Sequence, residues 1–254
     1  MMNQYTASLG NRQYLIELDG HLSSSYRSTS SFSDDLNLVR NEFSSSYSQL
    51  STSAPELIYK ESDIPLHEDI VSNDDDTLLP IPMSPLHTSI WLRDLKDKEA
   101  KWIGTENIDK SGSWTNSRSS NYFPKLKQMI SNLPFKGMGR AHLMISETGT
   151  PTLTHQDYEM SKEDFDINYR PECIWIDILG NKKLYIANQS DTINWYLNDF
   201  DDNLLTKTYV TGSTCWLDAS YAHGTNASNG LSATIRIDGE FTAEFRQKIF
   251  NDDQ

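Results

Sequence analysis

The chain has 254 residues, of which 37% are hydrophobic, and a formal net charge of −14. That length suits one β-rich domain, or a domain with an appendage. The acidic balance argues against binding to nucleic acid or an anionic membrane, both of which require a basic footprint, and leaves neutral or basic small molecules and peptides as substrates.

The first twenty residues, MMNQYTASLGNRQYLIELDG, lack the basic stretch and apolar run of a secretory signal. No segment approaches the roughly 18 apolar residues of a membrane helix. The expectation is a cytoplasmic protein, in a reducing compartment. Cys173 and Cys215 sit in the apolar runs ECIWIDIL and TCWLDA. Two cysteines do not make a disulfide framework, and they lack CxxC spacing, so both read as buried reduced thiols.

Residues 12–18 (RQYLIEL) form a short strand or the start of a helix. Residues 21–54 hold 13 serines. Leu36, Val39, Phe43, Tyr47 and Leu50 nevertheless recur at helical spacing and predict a helix of about 15 residues. Asp34 or Asp35 is placed to cap it. Residues 61–80 carry seven acidic residues and no Lys or Arg, which reads as a solvated loop. Residues 1–90 are expected to be an extension, partly helical, that packs on the core or acts as a lid.

The core domain is expected over 91–254. NYFPKLKQMISNL (121–133) predicts a helix starting at Pro124, with Leu126, Met129, Ile130 and Leu133 inward. Eight strand-like runs follow over 139–241: GRAHLMISETG, PTLTHQDYEM, ECIWIDILG, KKLYIANQ, INWYLND, LTKTYVTG, TCWLDASYAHG and SATIRIDGEF. They are short, rich in β-branched and aromatic residues, and split by Gly, Asn and Asp. No helical segment is predicted among them. This predicts a mainly β fold, a double-stranded β-helix (cupin-like jelly roll) with flanking N-terminal helices. TAEFRQKIF is either a terminal strand or a helix.

His155 and Asp157 form an HxD pair. On a strand, residues i and i+2 point to one face, so both side chains enter one cavity. His223 ends a later strand. If the two strands are neighbours, two imidazoles and a carboxylate converge as the facial triad of a non-haem Fe(II) oxygenase, with coordination positions left open. Arg236 lies on the next strand. An arginine inside a β-core requires an anionic partner, and the far carboxylate of 2-oxoglutarate suits its bidentate geometry. His142, on the first core strand, reads either as a core histidine or as a cavity residue.

With this HxD…H…R pattern, segment 139–241 resembles the Fe(II)/2-oxoglutarate-dependent oxygenase superfamily. GRAHLMISETGTPTLTHQD and TGSTCWLDASYAHGTNASNGLSATIRI are similar to its aspartyl/asparaginyl β-hydroxylase and bacterial proline hydroxylase branch. The matched positions are Arg140, Gly149, Pro151, His155, Gly212, His223, Asn226 and Arg236. The resemblance implies a dioxygenase that hydroxylates an unactivated C–H bond of an amino acid, free or peptidyl, or of a related small molecule. It implies Fe(II) on His155, Asp157 and His223, with 2-oxoglutarate and O2 as co-substrates and ascorbate as reductant. Arg236 and Asn226 would contact the co-substrate. The branch's basic residue after HxD has its nearest match in Lys183, which comes late because a long segment intervenes. Asp157 separates this chain from halogenases, where a small residue makes room for chloride. Arg140, Tyr158, Trp175 and Trp216 are the candidate substrate contacts.

A reading from another class is a cupin-like metal- or ligand-binding protein without oxygenase activity. Arg236 discriminates between the two, because a partner for it within the protein favours the binding protein.

Overall fold

The computed structural model describes residues 6–9, 12–60, 87–95, 114–156, 172–198, 200–219 and 221–250. The acidic run, Asp157 and Tyr158 lie outside the described residues.

The RQYLIEL run is a strand. β1 (Thr6–Leu9) and β2 (Arg12–Glu17) form a hairpin. Helix α1 (Asp19–Ser25) and helix α2 (Phe32–Ser53) follow. Helix α2 buries Leu36, Val39, Phe43 and Leu50 as the spacing predicts, but it runs for 22 residues. Its cap is Ser31, whose hydroxyl accepts from the Asp34 amide. Asp35 is instead buried and accepts from the Tyr26 hydroxyl at 2.6 Å. β3 (Tyr59–Lys60), β4 (His87–Leu95) and β5 (Trp114–Asn116) precede α3 (Pro124–Ser131), which starts at its proline and buries Leu126, Met129 and Ile130.

The core strands are β6 (Phe135–Ser146), β7 (Cys173–Asp177), β8 (Leu184–Ile186), β9 (Thr208–Tyr209), β10 (Thr214–Leu217), β11 (His223–Thr225) and β12 (Ser232–Phe241). Among the described residues they form two antiparallel sheets. The larger has the order β1-β2-β10-β7-β12-β6-β4-β3 with β5 on β4, and the smaller has the order β11-β8-β9. His155 bridges the free side of β11. From β6 onward the chain shuttles between the sheets, giving β10-β7-β12-β6 in one and β9-β8-β11-His155 in the other. This is the double-stranded β-helix.

Strand periodicity sorts the side chains into layers. On β12, Ala233, Ile235 and Ile237 face outward with Ala141, Leu143 and Ile145 of β6 and Ile174 and Ile176 of β7. Helices α2 and α3 cover that face, as does α5 (Ala243–Phe250). Leu15, Ile186, Cys215, Leu217 and Tyr221 pack between the sheets. Both cysteines are free and buried, and burial pushes the Cys215 thiol well above its ordinary pKa.

Three expectations need correction. INWYLND is not a strand but part of α4 (Gln189–Leu197), so a helix does interrupt the β series. Asn188 caps it by accepting from the Asp191 amide at 2.8 Å. Trp195 packs down on Ala187 and Ala222. TCWLDASYAHG is two strands, β10 and β11, one in each sheet. Among its described residues, PTLTHQDYEM pairs only at His155. The tail left open between strand and helix is α5, and Thr242 receives the Phe245 amide at its start. β2 is hydrogen-bonded to β10 within the large sheet, so the N-terminal strands and the core share one sheet.

Candidate metal and dicarboxylate site

His155 and His223 are directly opposed across an antiparallel bridge. Each amide donates to the other's carbonyl at 2.9 Å. Directly opposed residues project to the same face, and the ring centroids lie 4.4 Å apart. His223 is only 1% exposed. His155 Nδ1 is 2.8 Å from the Leu153 carbonyl, and His223 Nδ1 is 2.9 Å from the Tyr221 carbonyl. A carbonyl only accepts, so Nδ1 carries the proton in both rings. That leaves Nε2 as the lone-pair nitrogen of each, the tautomer suited to a metal.

The rings open onto a cavity of about 110 Å³ between the sheets, lined also by Thr152, Trp175, Asp177, Lys182, Lys183 and Thr225. Its floor includes Gly212 and Ser213. The N-terminal elements hold this loop. Glu17 accepts from the Thr211 amide at 2.6 Å, and Asp19 accepts from the Ser213 amide at 3.0 Å.

Arg236 lies in register with His142 on β6 and Trp175 on β7. Its guanidinium carbon stands 5.3 Å from the Trp175 ring centroid, and Trp175 meets His223 edge-on at 6.3 Å. The indole therefore lies between Arg236 and His223. Arg236 Nε donates to Asp238 Oδ1 at 2.9 Å, while Arg140 Nε donates to Asp238 Oδ2 at 2.7 Å. All three side chains are buried. Burial alone would push the Asp238 carboxyl up, but the two guanidiniums outweigh it and hold it below its usual range. His142 stacks on Trp91 at 4.6 Å.

Of the residues expected from sequence, His155, His223, Trp175 and Arg236 come together, with Arg140 joined through Asp238. Lys183 lines the cavity, with its ammonium 3.4 Å from the Thr211 carbonyl. Asn226 braces the end of β11 against β8: its side-chain oxygen accepts from the Lys183 amide and its amide donates to the Lys183 carbonyl. Trp216 is on the opposite face, fully buried, with Phe250 against its ring at 5.1 Å.

The sequence reading did not single out Lys182, Asp177 or Asp238. Lys182 is 3% exposed, and its ammonium donates to Ser146 Oγ at 2.9 Å and Thr152 Oγ1 at 3.2 Å. Nothing in the pair KK tells which lysine turns inward. Asp238 was legible, because it stands two residues from Arg236 on the same strand face.

No protein-family model and no curated protein sequence matches the chain. Among solved structures it is similar to a prolyl-4-hydroxylase from Pseudomonas putida (8% identity, 82% of this chain and 88% of that one, TM-score 0.38). It is also similar to a prolyl hydroxylase from Trichoplax adhaerens solved with a hypoxia inducible factor peptide fragment (12%, 83% and 81%, 0.37). A third similar structure is a 2OG-Fe(II) oxygenase family oxidoreductase from Burkholderia pseudomallei (6%, 64% and 75%, 0.34).

Proposed function

We propose that this chain is an Fe(II)- and 2-oxoglutarate-dependent dioxygenase that hydroxylates an amino acid, free or peptidyl, or a related small molecule. The observation that carries the reading is the opposed pair His155 and His223, each with Nδ1 tied to a carbonyl two residues back. That donor set fits a borderline divalent metal. Asp157, two residues beyond His155, is the third ligand on the sequence pattern. Iron bound there supplies activation of O2, coupled to conversion of 2-oxoglutarate to succinate and oxygen insertion into a C–H bond.

The protein's own part is to hold and orient. The carbonyls of Leu153 and Tyr221 fix each ring's tautomer. The packed layer of Leu217, Ile186 and Tyr221 keeps bulk water from the barrel interior. Two buried cations near the histidine pair support a dicarboxylate co-substrate. Arg236 sits behind Trp175, oriented through its Nε by Asp238. Lys182 lines the same cavity as the imidazoles and groups with Thr152 and Ser146, which supports it as a second holder of the far carboxylate.

The second reading, a cupin-like binding protein, gains from the Arg236–Asp238 pair, the internal partner that was expected to favour it. The Asp238 carboxylate that accepts from Arg236 Nε is, however, shared with Arg140. This suits orientation as well as neutralisation.

The test is succinate formation from 2-oxoglutarate by purified protein with Fe(II), O2 and ascorbate. Wild type should turn over slowly without substrate and faster with the right amino acid or peptide, while His223→Ala should be inactive. Equal rates for both would contradict the proposal.

A further inference from the structure

We infer that Asp202 and Thr154 form a positioning device that sets the angle of His155 from outside the barrel. The inference rests on the metal-site reading of His155 and His223. Among the described residues, the His155 segment is not a full strand. Its described hydrogen bonds to β11 are the two of the bridge to His223 and, three residues back, the two of Thr152, whose amide donates to Thr225 Oγ1 at 2.7 Å and whose carbonyl receives the Thr225 amide. These bonds hold the segment along the edge it shares with β11, and a grip on its other face adds to what orients the ring.

Thr154 supplies the grip. It is buried and, as the neighbour of His155, points away from the cavity. Its hydroxyl lies 2.6 Å from Asp202 Oδ2 and 2.7 Å from the Tyr185 hydroxyl. A carboxylate only accepts, so the single Thr154 proton goes to Asp202, and the Tyr185 hydroxyl must then donate to Thr154. Asp202 is fixed in turn. Its Oδ1 accepts from Trp195 Nε1 of α4 at 3.1 Å, and its Oδ2 accepts from the Lys207 ammonium at 2.9 Å. Lys207 also lies over the Tyr185 ring at 4.5 Å. One carboxylate thus joins α4, β8 and the approach to β9 to the residue beside the metal histidine. The joint lies on the outside of the small sheet and touches neither substrate nor metal.

A Co(II) titration followed by visible absorption tests this. Partners that orient a ligating histidine typically contribute about 10- to 100-fold in metal affinity. Thr154→Val should weaken Co(II) binding by about that factor, and Thr154→Ser, which keeps the hydroxyl, should restore it. Asp202→Ala should match Thr154→Val, and the double variant should be no worse than either, because both act through one chain of bonds. Ile249→Val, a remote core change, gives the effect of lost stability alone and should leave affinity unchanged. If Thr154→Val melts earlier yet binds Co(II) like wild type, the network is structural only and the inference is overturned. If wild type itself binds no Co(II), the metal-site reading fails and the inference fails with it.

Discussion

At the scale of single residues, chemistry is set by what each polar group touches. Two imidazoles with Nδ1 committed to carbonyls keep Nε2 as the lone-pair nitrogen, and their strands are neighbours, the condition on which their convergence depended. The cations were harder to foresee. Arg236 stood out as an arginine in an apolar strand, whereas Lys182 and Lys183 look alike until the backbone turns one inward. Affinity for the co-substrate separates their roles. Arg236→Gln and Lys182→Met should each raise the KM for 2-oxoglutarate if both hold the dicarboxylate. A raised KM in only one variant names the holder. Asp177 makes a prediction of its own. Burial raises its carboxyl above the ordinary pKa, only partly offset by the Gly180 amide and the charges of Lys183 and Arg40. The folded carboxyl therefore keeps its proton where the unfolded chain, with a pKa of about 3.9, has lost it. Its ionisation costs stability as pH rises through that interval, and the cost persists above it. Asp177→Asn should raise Tm at pH 7, and the gain should vanish in acid below the unfolded value. A pH-independent difference would show that ionisation is not the cause.

At the scale of elements, the strands with clear alternation, β6, β7 and β12, were legible because one face packs helices and the other lines the barrel. INWYLND was misread because four apolar residues in seven mimic a strand. The Asn188 cap with Asp191 three residues on was the overlooked helix signal. The break of TCWLDASYAHG into β10 and β11 depends on which sheet each half joins, and no local pattern encodes that. Strand β11 also carries a steric requirement. A side chain at Gly224 would place Cβ 2.7 Å from the Tyr185 hydroxyl and 2.9 Å from the Thr152 carbonyl. Gly224→Ala should therefore destabilise the fold by about 1–3 kcal/mol in urea unfolding. It should also weaken metal binding, since the strain falls between the two histidine segments. Wild-type stability in this variant would show that the neighbours yield without cost.

At the scale of the whole molecule, the Ser-rich N-terminal stretch shares one core with the jelly roll. Leu36, Val39 and Phe43 of α2 belong to the same apolar cluster as Ile174 and Ile235. Glu17 and Asp19 tie this region to the cavity floor. Serine-rich composition hides the helix face that the periodicity of Leu36, Val39, Phe43 and Leu50 reveals. Phe43→Ala should cost about 3–5 kcal/mol and shift one cooperative unfolding transition for the entire chain. Two transitions would mean that the extension folds by itself. No described helix is long and apolar enough to cross a membrane.

The central claim is that His155 and His223 hold iron beside a 2-oxoglutarate pocket. The most direct test is an anaerobic addition of Fe(II) and then 2-oxoglutarate, watched in the visible spectrum. A charge-transfer band that needs both additions and is lost in His223→Ala is the predicted result. Absence of the band in wild type would contradict the claim and leave the cupin-like binding protein in its place.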